Sequence, residues 1–185
     1  MKKQNLQKLT VSAMMIALST VLSLIKVWEM PLGGAITLFS MLPVCLIGVS
    51  YGVKYAVIPC FLYGAIQMML GGVFGWGLTV TTLIGAILFD YLFAFTALCL
   101  SGLFKSKGTA GVVSGISVAC IVRFSCHFIS GCIFFQSFEI FNNPYLYSVA
   151  YNGTFMLPEL ILTVIGALAL IRVPVIKKIF SIKEM

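Results

Sequence analysis

TAGVVSGISVACIVRFSCHFISGCIFF, residues 109–135, is the stretch that decides the fold. At ~1.5 Å per residue, a helix of this length spans the ~30 Å hydrocarbon core of a bilayer. The run contains no acidic residue, and its only basic side chains are Arg123 and His127. An ionisable group inside a bilayer costs at least ~2.5 to 3.5 kcal/mol, so it normally faces a protected cavity and marks a functional pathway. The stretch therefore predicts both a membrane span and a polar site within it.

The rest of the chain has the same character. Hydrophobic residues make up 61% and charged residues 9%, with a mean hydropathy of +1.10. Soluble domains carry about a quarter charged residues. The 185 residues, at about 20 apolar residues per span, supply five or six helices and little else. The expectation is an all-α integral membrane protein, a six-transmembrane-helix bundle forming a single membrane domain over residues 1–185. Its spans fall at about 9–27, 35–50, 55–70, 78–104, 109–135 and 147–173. Lys2, Lys3 and Lys8 precede the apolar run Leu9 to Ile25, which is longer than the apolar core of a signal peptide, so an uncleaved first helix is expected.

Charge sets the topology. The net charge of +7 comes from basic residues that are dispersed along the chain, which excludes the clustered basic face of a nucleic-acid-binding protein. With both termini in the cytoplasm, the inner segments hold Lys2, Lys3, Lys8, Lys54, Lys105, Lys107, Arg172, Lys177, Lys178 and Lys183. That distribution satisfies the positive-inside rule. Lys26 stays near an outer helix end, and Arg123 lies within span 5. The outer loop from Glu139 to Tyr145 carries the turn signal Asn142-Asn143-Pro144, and Pro158 is expected to kink span 6 or simply to be tolerated there.

Six costly polar residues concentrate between residues 90 and 152: Asp90, Tyr91, Arg123, His127, Tyr147 and Asn152. Asp90 and Arg123 each fall about 18 Å below the outer ends of their antiparallel spans, so they can meet at one depth. His127 stands one turn above Arg123 on the same face, and Gly131 and Phe135 continue that stripe. Tyr147 and Tyr151 form a second row on span 6, beside Ser148 and Asn152. A pocket of this make-up suits a small, flat, polar and cationic molecule. The same residues also fit a structural ion pair between Asp90 and Arg123, a histidine bonded to a neighbouring backbone, and an aromatic belt of tyrosines.

Ala13 and Ala17 form a small-x-x-x-small patch on span 1 that permits close helix approach, inside the bundle or against a partner. The six cysteines contain no C-x-x-C pair and read as small core hydrophobes, so no metal site and no disulfide framework is expected. No phosphate loop, H-E-x-x-H or G-x-S-x-G motif is present, so no catalytic residues and no cofactor are expected.

At these residues the sequence resembles the substrate-binding S components of energy-coupling factor transporters, in particular the thiamine-specific group. The resemblance covers nearly the whole chain and is most specific at Phe89-Asp90-Tyr91, at Arg123 to Gly131, and at Tyr147 to Asn152. It implies high-affinity capture of thiamine from outside, in the plasma membrane of a prokaryote. Asp90 would pair with the thiazolium, His127, Tyr147 and Asn152 would hydrogen-bond the aminopyrimidine, and Phe135 would stack on it. Tyr91 and Gly131 would line the site. Ala13 and Ala17 would face a transmembrane coupling protein, which with two ATPase subunits supplies the energy. The family can carry Glu at the position of Asp90 and Trp at that of Phe135, and a further Trp where this chain has Gly33-Gly34. Alternatives are an S component for a related vitamin or pyrimidine precursor, and a stand-alone proton-coupled transporter of a small cationic metabolite.

Overall fold

The computed structural model describes residues 3–135, 143–174 and 176. Lys2, Lys177, Lys178 and Lys183, and the loop residues Glu139 and Asn142, lie outside the described residues. The chain is mostly helical. It opens with α1 (Lys3–Ser23), followed by an antiparallel hairpin of β1 (Lys26–Glu29) and β2 (Ala35–Thr37). Then come α2 (Met41–Tyr51), α3 (Val53–Leu70), α4 (Val80–Gly102), α5 (Gly108–Phe134) and α6 (Pro144–Leu170). Among the described residues, five helices are long and apolar enough to cross a membrane: α1, α3, α4, α5 and α6.

The second expected span divides in two. Residues 35–37 form β2, and only Met41–Tyr51 is helical. At ~1.5 Å per residue, α2 is too short to cross the hydrocarbon core by itself. It is nevertheless the most enclosed element, with every residue from Met41 to Val49 buried. A helix apolar on all sides belongs at the centre of a bundle. The reason helix fails to form at Thr37 is tertiary. Its N–H donates to the carboxylate of Glu159, on α6, instead of to a helical carbonyl.

Between Trp28 and Gly34, the expected loop is the tip of the hairpin. Lys26 pairs with Thr37, Trp28 with Ile36 and Glu29 with Ala35, with a bulge between Lys26 and Trp28. The turn at Pro31–Gly33 places Gly33 at φ +86°, the left-handed region that glycine enters without a Cβ penalty.

α4 is irregular throughout. Its first turns are α-helical to Gly85, Ala86–Phe93 is π-helical, and Ala97–Gly102 tightens to 3-10 geometry. π-helical bulges recur at functional sites because the widened turn re-aims side chains, and both Asp90 and Tyr91 sit in this one. α5 packs along α4 and α6. Its glycines allow the close approach: a Cβ on Gly115 would lie 2.2 Å from the Ser101 carbonyl oxygen, and one on Gly131 would lie 2.3 Å from Ser148 Oγ. α6 runs unbroken through Pro158.

Cys45, Cys60, Cys99 and Cys120 are thiols buried in the apolar core. At one end of the bundle, Lys8 Nζ lies 5.7 Å from the Tyr51 ring centroid, and the Gly52 turn abuts Lys105. On α1, Ser12, Ser19 and Ser23 turn inward, while Ala13 and Ala17 lie on the exposed face. Ser12 Oγ donates to Tyr55 Oη at 3.2 Å, and Gln67 Nε2 donates to Ser23 Oγ at 2.9 Å.

Candidate functional site

A cavity of about 1070 Å³ lies between the hairpin and helices α3 to α6. Asp90, Tyr91, His127, Gly131, Phe135, Tyr147 and Asn152 all line it, so the fold brings the whole set of expected site residues to one place. Arg123 lines it too. Ala13 and Ala17 stand apart on the outer face of α1.

The ionic centre differs from the Asp90–Arg123 pair that matching depths allow. Asp90 Oδ1 meets His127 Nδ1 at 2.8 Å, and Oδ2 accepts from Ser130 Oγ at 2.6 Å. Arg123 Nε donates to His127 Nε2 at 3.3 Å, and its Nη1 contacts Met41 Sδ at 2.5 Å. The guanidinium lies 4.1 Å over the Phe95 ring, a cation–π contact. Among the described residues, the ion pair of permanently charged side chains within 4.0 Å is Lys26–Glu29, and the His127–Asp90 contact becomes one only when the imidazole is protonated. The helical turn that stacks His127 on Arg123 has thus inserted the imidazole between guanidinium and carboxylate.

α6 supplies the opposite wall. Asn152 Nδ2 donates to the His127 carbonyl at 3.3 Å, and to Ser148 O and Oγ at 2.9 and 3.1 Å. Among the described residues, its amide oxygen accepts no hydrogen bond. Ser148 Oγ in turn donates to Phe128 O at 2.9 Å, across the α5–α6 contact that Gly131 makes possible. Tyr147 and Tyr151 lie with ring centroids 5.7 Å apart, and Phe155 meets the His127 ring edge-on at 5.8 Å. Tyr91 stacks on Phe95 at 6.4 Å and 18°. The cavity therefore combines a hydrogen-bonded carboxylate with several aromatic faces, the chemistry that suits a flat cation.

Glu159 and Trp76 line the cavity and escaped the sequence reading, and Tyr151, already placed beside Tyr147, makes contacts that the reading did not give. Glu159 is buried and accepts from Thr37 N and, at 2.7 Å, from Thr37 Oγ1. A signal for it existed, because a carboxylate inside the apolar run of span 6 meets the same cost argument as Asp90. Trp76 reaches over the hairpin tip, where a Cβ on Gly33 would lie 2.6 Å from its ring. Tyr151 pins the same tip by accepting from Gly34 N at 3.1 Å and donating to Pro31 O. No local pattern announces these contacts, since each joins segments distant in sequence.

A bundle of membrane-spanning helices around a polar cavity defines a membrane protein that takes up or carries a small solute. The chain belongs to the thiamine transporter protein family (Thia_YuaJ), whose pattern matches residues 9–178. It is 31% identical over 179 residues to the thiamine transporter ThiT of Bacillus subtilis (strain 168), an alignment that covers 89% of this chain and 90% of that one. It also shares its fold with the solved structure of ThiT from Listeria monocytogenes, with a TM-score of 0.80 at 20% identity over 96% of this chain and 99% of that one. The family is one of transporters, not enzymes. The resemblance found at residues 89–91, 123–131 and 147–152 thus led to the right family.

Proposed function

We propose that this chain is the thiamine-binding S component of an energy-coupling factor transporter, one membrane domain that captures its vitamin from outside a prokaryotic cell. The observation that carries the reading is the Asp90 carboxylate, fixed by His127 and Ser130 in an aromatic-lined cavity, in a chain of the thiamine transporter family. In this reading Asp90 is the counter-ion of the thiazolium. Asn152 offers its amide oxygen to the exocyclic amine and Tyr147 offers its hydroxyl to the pyrimidine edge, while His127, whose two ring nitrogens are taken up by Asp90 and Arg123, holds the carboxylate in place of the hydrogen bond to the pyrimidine that the resemblance implies. Phe135, Tyr91 and the Gly131 backbone form the walls. The lack of a side chain at Gly33 leaves room that Trp76 fills, since a Cβ there would lie 2.6 Å from its ring.

The topology proposed is six membrane segments with both ends cytoplasmic, the second being β2 and α2 together. The gathering of Lys8, Tyr51, Gly52 and Lys105 at one end of the bundle supports it, because short basic turns favour the cytoplasmic side. Lys26 and Glu29 border the cavity, and in this reading the hairpin and the cavity mouth face the outside. Ala13 and Ala17, small and exposed, suit the close approach of a transmembrane coupling protein. Two ATPase subunits would drive transport through that protein.

Calorimetric titration of the purified chain with thiamine and a panel of other vitamins tests the function. Saturable one-to-one binding of thiamine alone is expected. Binding of a neutral vitamin in preference to thiamine would overturn the reading.

A further inference from the structure

The hydrogen bonds around His127 determine where its proton lies. Arg123 carries only donors and stays protonated in proteins, so its Nε–H, 3.3 Å from His127 Nε2, requires that nitrogen to be the acceptor. The imidazole proton then sits on Nδ1, 2.8 Å from Asp90 Oδ1, and is donated to the carboxylate. Ser130 Oγ donates to the other carboxylate oxygen, so Asp90 meets two donors and is satisfied as an anion.

We infer that Arg123 is a positioning residue that keeps His127 neutral, so that the Asp90–His127 pair offers a cationic ligand a full negative charge. The inference rests on reading Asp90 as the ligand's counter-ion. A second proton on Nε2 would point its N–H at the guanidinium N–H, two donors and two positive charges face to face. Arg123 is held in place to enforce this by the Phe95 ring at 4.1 Å and by Met41 Sδ. The charged groups facing the imidazole are Asp90 from α4 and Arg123 one turn below on α5, whereas α6 presents the edge of Phe155 and the amide of Asn152. Glu159, the buried second carboxylate of the cavity, is engaged with Thr37.

This role gives the opposite sign to a bare charge effect. If Arg123 acted only through its positive charge, removing it would tighten binding of a cation. If it holds His127 neutral, removing it lets Nε2 take up a proton beside Asp90, and the pair loses its net charge at the place where the cation docks.

The chain has a single histidine, which makes nitrogen-15 NMR of the labelled imidazole, on the full chain in nanodiscs at neutral pH, a direct reading. The wild-type protein should show a protonated Nδ1 and a bare Nε2. A proton on Nε2, or on both nitrogens, would overturn the inference, whatever becomes of any variant. In Arg123→Met both nitrogens should be protonated. Thiamine affinity should fall about tenfold or more, as expected when a buried charge partner is lost. A neutral isostere with carbon in place of the thiazolium nitrogen should change much less. Unchanged or tighter thiamine binding by a folded Arg123→Met protein would refute the role. Failure of the wild-type protein to bind thiamine would instead strike the proposed function, leaving the imidazole spectrum as a separate result.

Discussion

Two carboxylates line the same cavity and are used differently. Asp90 is held by two side chains of α5, His127 and Ser130, on a π-helical turn of α4. Glu159 is held by the backbone N–H and hydroxyl of Thr37, the last residue of the hairpin's second strand. The first arrangement joins rigid transmembrane helices and leaves a charge directed at the cavity. The second fastens a short hairpin to α6. Burial of a carboxylate in a membrane bundle is therefore not enough to make it a ligand site. In the proposed reading, the partners it is given decide whether it recognises a ligand, as Asp90 does, or braces the fold, as Glu159 does.

The contrast is tested most severely by Asp90→Asn. The amide keeps the shape of the carboxylate but removes its charge, and truncating a buried charge interaction costs about 2 to 5 kcal/mol. Thiamine affinity measured by calorimetry should fall by about thirtyfold or more, while the neutral isostere loses far less. Equal loss for the two ligands would put Asp90 in the same structural class as Glu159.

Glu159→Ala should act through the hairpin. It removes both acceptor contacts and strands the Thr37 N–H, at a cost of about 1 to 3 kcal/mol. The hairpin borders the cavity, so release should accelerate, by about tenfold in stopped-flow dissociation. Because the effect is steric and not electrostatic, it should be the same for thiamine and for the neutral isostere. A selective loss of the cation would make Glu159 a second counter-ion and dissolve the distinction.

The two regions also differed in how far the sequence disclosed them. The Asp90 cluster was legible because its members lie in long apolar helices, where spacing fixes the face and rise fixes the depth. Even there, spacing left the partners open, and it was the side-chain geometry of His127 that replaced an Asp90–Arg123 pair with a relay. The hairpin was not legible. Residues 35–50 are apolar enough to be read as a helix, but residues 35–37 pair with β1 as a strand, and Thr37 is further fastened by Glu159 on α6, far along the chain. Gly33 and Gly34 marked a turn, yet nothing local foretold that Trp76 and Tyr151 would close over it. Local periodicity reports which face of an element is apolar, whereas a tertiary override of helix leaves no periodic trace.

The smallest effect is expected at the tryptophans, and it locates the ligand relative to the two regions. Trp76 lines the cavity and lies 6.4 Å from the Tyr91 ring, whereas Trp28 on β1 is 56% exposed and does not line it. Since fluorescence quenching needs proximity, thiamine should quench Trp76 and leave Trp28 nearly unaffected. Trp28→Phe should retain the ligand-induced signal with unchanged affinity, and Trp76→Phe should abolish it while weakening binding only by the loss of one aromatic contact, about 0.5 to 1.5 kcal/mol. A signal that instead followed Trp28 would mean that the hairpin rearranges around its bulge when ligand enters. The Glu159–Thr37 bond would then have to open during capture, and the region assigned to bracing would belong to binding as well.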